Sequence, residues 1–298
     1  MIQFPEKFQE RMQQMLGDEE YAEFLKSYDL PFHNGLRINT WKIKPQELLQ
    51  RMGVDLKQVP WNETGFYLEN KKQFSKHPYY QGGLYYIQEA SAMLPAKLVN
   101  AQPGEKILDM CAAPGGKSTA IGAALKGEGL LISNDISKSR AKALLRNLEG
   151  FGIINSIVVS EYPEKLSRYF PEFFDKVLID APCSGEGMFH KEPSMTESWL
   201  RMGPEEYHKL QMEILTYGAK MVRPGGKLIY STCTFHRKRM RAALRGFCRN
   251  IRDFHLVEVD DDKDLCGCHC IDHGHPEWAD GNPELTKTRR LWPHHLGG

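Results

Sequence analysis

The sequence predicts a doubly wound α/β fold with a mostly parallel, Rossmann-like sheet, preceded by a small α+β domain. Two observations predict it. From Ile107 onward, short apolar runs alternate with helical segments, as they do when crossover helices join the strands of a parallel sheet. Before that point, short helices and alternating strands follow without this regularity. We place the boundary after residue 84, which gives domains of residues 1–84 and 85–298.

The composition limits the class of protein. The chain has 298 residues, 41% hydrophobic and 26% charged, which is ordinary for a globular protein of one large or two modest domains. The net charge of +1 does not by itself indicate a nucleic-acid partner, so local basic patches would have to supply that attraction. No apolar run reaches the ~20 residues of a membrane span, and the first residues lack a basic segment before an apolar core, so we expect no secretory signal. We expect a cytoplasmic monomer without a membrane partner, with its seven cysteines reduced.

The first 84 residues are expected to form a module that contacts RNA. Two apolar stripes around Gly17 predict two short helices within residues 1–30, followed by a half-buried strand at 36–40, a helix at 45–52 and a strand at 66–68. Six bases are expected to be exposed, although a solvated face explains them equally well. They are Arg37, Lys42, Lys44, Lys71, Lys72 and Lys76. The tyrosines of the connector 77–89 could stack on bases or pack against the first helix of the larger domain.

The larger domain is organised around residues 108–119, Leu-Asp-Met-Cys-Ala-Ala-Pro-Gly-Gly-Lys-Ser-Thr. A strand, a glycine turn and a helix in succession bring backbone N–H groups close to a ligand, unless the turn is purely structural. A phosphate-binding loop would need glycine where Cys111 stands, and the dinucleotide pattern is absent. Asp135 ends the next strand, where such folds bind a ribose. A nucleoside ligand without a bound pyrophosphate fits best, and S-adenosylmethionine is the candidate.

Further strand–helix units complete the predicted sheet. We expect a helix at 138–151, strands at 157–159 and 176–180, a long helix at 204–221, a turn at 223–226 and a strand at 227–231. Ligands bind at the carboxyl ends of parallel strands, so one crevice should collect the ends of four strands. These ends are residues 111–117, Asp135, residues 180–184 and residues 231–235.

The ends of the fourth and fifth predicted strands each carry a cysteine, Cys183 and Cys233. A lone buried cysteine is usually a small core residue. Two at consecutive strand ends beside a cofactor site suggest a nucleophile, provided that its pKa is lowered. Methylation of a pyrimidine carbon needs such a thiol, because C5 of cytosine attacks a sulfonium methyl group only after a thiolate has added at C6.

Three segments, 109–117, 180–187 and 231–234, resemble the signature motifs of the Sun-type (NOL/NOP/Sun) RNA cytosine-5 methyltransferases, and 35–40 and 86–91 resemble that family's N-terminal motifs. The match is closest to the bacterial 16S ribosomal RNA branch. It implies a class I methyltransferase fold that uses S-adenosylmethionine to methylate C5 of a cytosine in ribosomal RNA, with the small subunit as the expected partner.

The resemblance also implies residue roles. Asp135 would hold the ribose, and Asp180 would lie beside both the methionine end of the cofactor and the cytosine. Cys233 would be the nucleophile, and Cys183 would help to release the product. The family's third cofactor position falls near residues 160–161. The S-adenosylmethionine site would be lined by Cys111, Ala112, Ala113, Pro114, Gly115, Gly116 and Lys117.

The chain departs from the family pattern after residue 235. Residues 236–252 are strongly basic where the family continues Ser-Pro-x-Glu-Asn-Glu, and we interpret this as a local frameshift, which the coding DNA would test. The family usually adds a final strand and a further RNA-binding domain, so the chain resembles a truncated member. The C-x-C-x-C segment at 266–270 lacks the usual structural zinc spacing, so we predict a loop without metal.

Two rival functions stay open. The first is a non-catalytic RNA-binding or ribosome-assembly protein that retains the fold, which the disturbed segment after residue 235 favours. The second is a nucleotide hydrolase that uses Gly116, Lys117 and Ser118.

Overall fold

The computed structural model describes residues 2–30, 34–68, 71–201, 204–235, 254–279 and 281–295. The segment interpreted as a frameshift, 236–252, lies outside the described residues. The N-terminal elements are α1 (Glu6–Ser27), β1 (Asn34–Ile38), α2 (Pro45–Met52), β2 (Gln58–Val59), β3 (Asn62–Leu68), α3 (Lys71–Ser75), α4 (Pro78–Gln81) and β4 (Tyr85–Ile87).

The larger domain has the predicted alternation of strands and helices. Its elements are α5 (Ala90–Val99), β5 (Lys106–Asp109), α6 (Gly116–Leu125), β6 (Leu130–Asn134), α7 (Lys138–Phe151), β7 (Ser156–Val159), α8 (Pro163–Tyr169), β8 (Phe174–Asp180), α9 (Met195–Arg201), α10 (Pro204–Met221) and β9 (Val222–Ser231). The strands form one parallel sheet in the order β7-β6-β5-β8-β9. This arrangement confirms the predicted α/β fold. The turn expected at 223–226 is a shift in the register of β9 against β8.

Helices cover both faces of this sheet. Neighbouring residues of each strand point to opposite sides, so each strand contributes to two cores. On β5, Leu108 belongs to the core shared with α8 and α10, whereas Ile107 belongs to the core shared with α5, α6 and α7. On β8, Val177 and Leu178 divide in the same way. The helices therefore cover the two faces of the sheet, and the carboxyl ends of its strands are where a ligand site is expected.

The N-terminal strands form an antiparallel sheet in the order β2-β3-β1-β4. Strand β4 pairs with β1, so this sheet extends three residues past the predicted boundary after residue 84. Tyr85 is fully buried, and its hydroxyl donates to the carbonyl oxygen of Phe74 at 2.7 Å. The ring centroid of Tyr86 lies 5.8 Å from that of Phe151. Tyr85 therefore packs within the N-terminal domain, and Tyr86 packs against α7 of the larger domain.

The expectation that Arg37 is exposed is wrong, because both faces of β1 are covered. Arg37 is 4% exposed. Its guanidinium donates to Gln88 Oε1 at 2.7 Å, to the carbonyl oxygen of Gly116, and to Thr119 Oγ1 at 2.8 Å. Burial lowers the pKa of Arg37 to about 10, which leaves the group charged at neutral pH. This side chain joins the N-terminal sheet directly to the start of α6.

Helix α1 contains the two predicted helical segments, which meet at a bend where Gly17 has φ 77°. Its apolar side packs against the larger domain rather than against the N-terminal sheet. The buried cluster comprises Phe8, Met12, Met15, Tyr21, Phe24, Phe189, Trp199, Phe235 and Trp292. One end of the described chain thus contacts the loops that follow β8 and β9.

The remaining described residues include α11 (Asp261–Asp264) and a two-stranded antiparallel sheet of β10 (Asp272–His273) and β11 (Arg289–Arg290). The C-x-C-x-C segment is a loop, as predicted, but Cys268 and Cys270 form a disulfide, which contradicts the expectation that all cysteines are reduced. In the described parts of the chain, no helix combines the length and the apolar character needed to cross a membrane.

Candidate active site

A cleft of about 1590 Å³ opens at the carboxyl ends of β5, β8 and β9. Most of the predicted site residues line it, whereas Gly115, Asp135 and Cys183 are not among the lining residues. The predicted residues that line the cleft are Cys111, Ala112, Ala113, Pro114, Gly116, Lys117, Asp180 and Cys233. The rule that strand ends meet at one edge of a parallel sheet therefore brings the predicted residues together.

The glycine turn after β5 needs glycine for two physical reasons. Gly115 has φ 111°, a left-handed conformation that side chains rarely adopt, and it precedes the first residue of α6. Gly116 packs so closely on the N-terminal sheet that a Cβ atom would lie 3.0 Å from Gln88 Nε2. A Cβ atom on Gly115 would lie 3.1 Å from Leu144 of α7. The turn is therefore packed tightly between α7 and Gln88, the residue that follows β4.

The polar side chains after this turn bind acids of the protein itself. Ser118 is fully buried, and its hydroxyl donates to Asp109 Oδ2 at 2.6 Å. Lys117 Nζ donates to Asp180 Oδ2 at 2.6 Å. A nucleotide hydrolase of the phosphate-binding-loop type would need both groups at the nucleotide. Their engagement elsewhere argues against this rival function.

Asp180 lies between a cation and a hydroxyl. Its second oxygen, Oδ1, accepts from Ser231 Oγ at 2.7 Å. Burial alone would lower the pKa of Lys117, but the charge of Asp180 and the hydrogen bond to it outweigh burial, so the pKa of Lys117 is raised. The cleft therefore contains a lasting ion pair whose carboxylate and ammonium have fixed positions.

The two predicted thiols are adjacent, with Cys183 Sγ 2.9 Å from Cys233 Sγ. The hydrogen bond between them lowers the pKa of Cys183, because its thiolate accepts the S–H group of Cys233, and it raises the pKa of Cys233. These directions place the thiolate on Cys183 rather than on Cys233, so Cys233 becomes the thiolate only when the shared proton moves to Cys183. Burial and the charge of Asp109 raise the pKa of Cys111 well above its usual range, so Cys111 remains a thiol. Two of the three cysteines near the cleft thus share an ionisable proton.

Glu186, which the sequence analysis missed, joins the two cysteine loops. It is 0% exposed. Its Oε2 accepts from Thr234 Oγ1 at 2.9 Å and from the backbone N–H of Phe235 at 2.8 Å. Its Oε1 accepts from Trp199 Nε1 at 2.8 Å and lies 2.9 Å from Arg11 Nη2, an ion pair without the geometry of a linear hydrogen bond. The position of Glu186 inside the 180–187 motif was the only sequence signal.

Asp135 lies at the end of β6, as predicted, and is 4% exposed. Its Oδ1 accepts from the backbone N–H of Ser137 at 2.9 Å, and its Oδ2 lies 3.3 Å from Arg140 Nη2. The same arginine nitrogen donates to the carbonyl oxygen of Ala113 at 2.7 Å. Arg140 therefore links the predicted ribose-binding acid to the glycine turn. Glu161 lies alongside, with its N–H donating to Asn134 Oδ1 at 2.9 Å.

Comparisons with known proteins agree with this geometry. The chain matches the model for the N-terminal domain of 16S rRNA methyltransferase RsmF over residues 4–90, and the model for 16S rRNA methyltransferase RsmB/F over residues 96–297. It is 34% identical over 265 residues to ribosomal RNA small subunit methyltransferase F of Erwinia tasmaniensis, which covers 86% of this chain and 55% of that relative. The chain thus spans about half the length of the curated relatives it matches.

Solved structures share the fold. The crystal structure of PH0851 superposes with a TM-score of 0.86 at 28% identity, covering 98% of this chain and 63% of that one. A methyltransferase homolog protein from Pyrococcus horikoshii superposes with a TM-score of 0.78 at 27% identity, covering 98% of this chain and 96% of the other.

Proposed function

Because the chain belongs to the RsmB/F family of 16S rRNA methyltransferases, we propose that it transfers a methyl group from S-adenosylmethionine to C5 of a cytosine in small-subunit ribosomal RNA. The observation that carries the proposal is the pair of thiols 2.9 Å apart beside Asp180. We propose further that the chain acts as a monomer in the cytoplasm and that residues 1–84 contact the RNA, while residues 85–298 bind the cofactor.

The residues of the cleft fit this cofactor. Three acids, Asp109, Asp180 and Asp135, lie near the turn, and their charges add to burial in raising the pKa of Cys111. Carboxylates close to the cofactor favour binding of its sulfonium cation. The backbone of residues 111–117 would line the cofactor, and Asp135 would accept hydrogen bonds from the ribose. When bound, S-adenosylmethionine supplies the electrophilic methyl group.

The protein's own groups supply the remaining chemistry. Cys233 attacks C6 as the thiolate while the shared proton rests on Cys183, and the new S–C6 bond makes C5 nucleophilic. Asp180 would accept a hydrogen bond from the cytosine amino group. The Lys117 ammonium would stabilise the negative charge that develops at N3 and O2. Because Asp180 is already held by Lys117 and Ser231, these groups need little rearrangement when the cytosine binds.

The test is transfer of a radioactive methyl group to small-subunit ribosomal RNA by the purified chain, with Cys233→Ala as the control. We expect 5-methylcytosine with the unaltered chain and none with the variant. Binding of S-adenosylmethionine and RNA without methylation would favour the non-catalytic alternative, and calorimetry that detects ATP but no S-adenosylmethionine would favour the hydrolase. Mapping 5-methylcytosine in cells with and without the gene would identify the target.

A further inference from the structure

Glu89 lies between β4 and α5, at the edge of the cleft. It is the N-cap residue of α5, but its side chain makes no capping hydrogen bond to that helix. Its Oε1 instead accepts from Ser91 Oγ at 2.8 Å. A glutamate that leaves its own helix uncapped and lines a cleft is available for another role.

The backbone that carries Glu89 is firmly held. The preceding residue, Gln88, accepts from Arg37 and donates through Nε2 to the carbonyl oxygen of Ala92 at 2.9 Å. The same Arg37 binds Gly116 and Thr119 at the start of α6. The position of Glu89 relative to the glycine turn is therefore fixed by buried hydrogen bonds rather than by a mobile loop.

The other acids near the strand ends are already engaged. Asp109 and Glu186 are completely buried, and Asp135 is covered by Arg140. Both oxygens of Asp180 accept hydrogen bonds from protein groups. Glu89 is thus the acid at this edge of the cleft that, among the described residues, combines access to the cleft with a single hydrogen bond from the protein.

Glu89 lines the same cleft as Cys233 and Lys117. Its negative charge contributes to the raised pKa of Cys233, and Lys191 and Lys117 act on Glu89 in turn. Burial nevertheless outweighs these attractions and raises the pKa of Glu89 itself. A carboxylate whose pKa moves toward neutrality is a better general base than an ordinary one.

The proposed reaction needs such a base after methyl transfer. At that point C5 carries a methyl group and its original hydrogen, and C6 carries the sulfur of Cys233. We propose, on the basis of the proposed function, that the Glu89 carboxylate takes this hydrogen as a proton. The C5–H electron pair re-forms the C5=C6 double bond, the C6–S bond breaks with its electrons going to sulfur, and Cys233 regains the proton held by Cys183. Glu89 then loses its proton to water.

The experiment uses the full chain and small-subunit RNA whose cytosines carry tritium at C5. Two quantities are measured in a single turnover: the rate of tritium release, and the fraction of protein that stays joined to RNA in denaturing electrophoresis. Glu89→Gln should slow tritium release at least ~100-fold and increase the joined fraction, since general-base catalysis contributes about that much. The matched control is Glu192→Gln. Glu192 is exposed and likewise accepts from a serine two residues later, Ser194 Oγ at 2.6 Å, so it should behave like the unaltered chain.

The outcomes separate this proposal from the one it rests on. Tritium release at the unaltered rate in Glu89→Gln would overturn the role of Glu89 while leaving the methyltransferase function intact. A Glu89→Gln protein that forms no joined complex, although its unfolding midpoint is unchanged, would overturn it too, because Glu89 would then act before methyl transfer. An unaltered chain that methylates no RNA would instead refute the proposed function itself.

Discussion

Replacement of Glu186 by glutamine should lower the thermal stability of the chain by a large and calculable amount. Both carboxylate oxygens of Glu186 accept hydrogen bonds from the protein: Oε2 from Thr234 and the N–H of Phe235, and Oε1 from Trp199. Glutamine offers one acceptor oxygen and one NH₂ group. An NH₂ group in the place of Oε2 would face the donors of Thr234 and Phe235. An NH₂ group in the place of Oε1 would face the donors of Trp199 and Ser184, whose hydroxyl lies 3.3 Å from Oε1. Two hydrogen bonds to a charged group are therefore lost.

The magnitude follows from this count. Hydrogen bonds to charged groups contribute about 1.5–3 kcal/mol each, so the loss of two costs about 3–6 kcal/mol. The cost of breaking a buried ion pair from one side, about 3–5 kcal/mol, falls in the same range. In a chain of 298 residues, 1 kcal/mol corresponds to about 2 °C, so the unfolding midpoint should fall by roughly 6–12 °C.

The assay is thermal unfolding followed by tryptophan fluorescence at fixed protein concentration and heating rate. The exposed Glu192→Gln serves again as the control, and its midpoint should stay within about 1 °C of the unaltered chain. A decrease below about 2 °C for Glu186→Gln would refute the reasoning, because it would mean that the donors around Glu186 find other acceptors without cost.

Three further predictions follow from the site. Cys233→Ala should be inactive and leave no RNA adduct. Cys183→Ala should accumulate an adduct that survives denaturing electrophoresis, because no S–H group lies beside the departing sulfur, and the double variant should form no adduct. An adduct that appears in Cys233→Ala would reverse the assignment. Asp135→Ala should weaken S-adenosylmethionine binding about ten- to a hundredfold in calorimetry, through the loss of ~1.5–3 kcal/mol of charge-assisted hydrogen bonds, and an unchanged affinity would remove it from the site. Burial raises the pKa of Asp109 from 3.8 to about 7, so its contribution to stability, up to ~4 kcal/mol, is complete below pH 3.8 and is lost as the pH rises to 7. The difference in unfolding free energy between the unaltered chain and Asp109→Asn should therefore fall between pH 4 and pH 7, and a flat difference would contradict this.

The sheet and the meeting of the thiols could be predicted from the sequence because both depend on local patterns. Helices α7 and α10 have the predicted bounds, since their apolar residues recur at helical spacing. Cys183 and Cys233 meet because parallel strands bring their carboxyl ends to one edge. Neither inference needs knowledge of contacts between distant elements.

The roles of Arg37 and Glu186 could not be predicted in this way. Arg37 sits on a strand whose alternation indicates one solvated face, and its side-chain partners lie 51 and 82 residues further along the chain. The partners of Glu186 come from α1 as an ion pair, and from α9 and the loop after β9 as hydrogen-bond donors. The residue type alone does not show whether a charged side chain is buried, so such residues are identified only when the structure brings the distant segments together.

The packing of α1 has a consequence for biosynthesis. Its apolar residues Phe8 and Phe24 belong to a cluster that also contains Phe235 and Trp292, which the ribosome makes much later. At about 5–20 residues per second, the apolar side of α1 waits on the order of 15–60 s for Trp292. During that time the helix exposes a surface that other nascent chains can bind. Trp292→Ala should therefore lower the soluble yield on expression by more than its effect on the unfolding midpoint alone would predict.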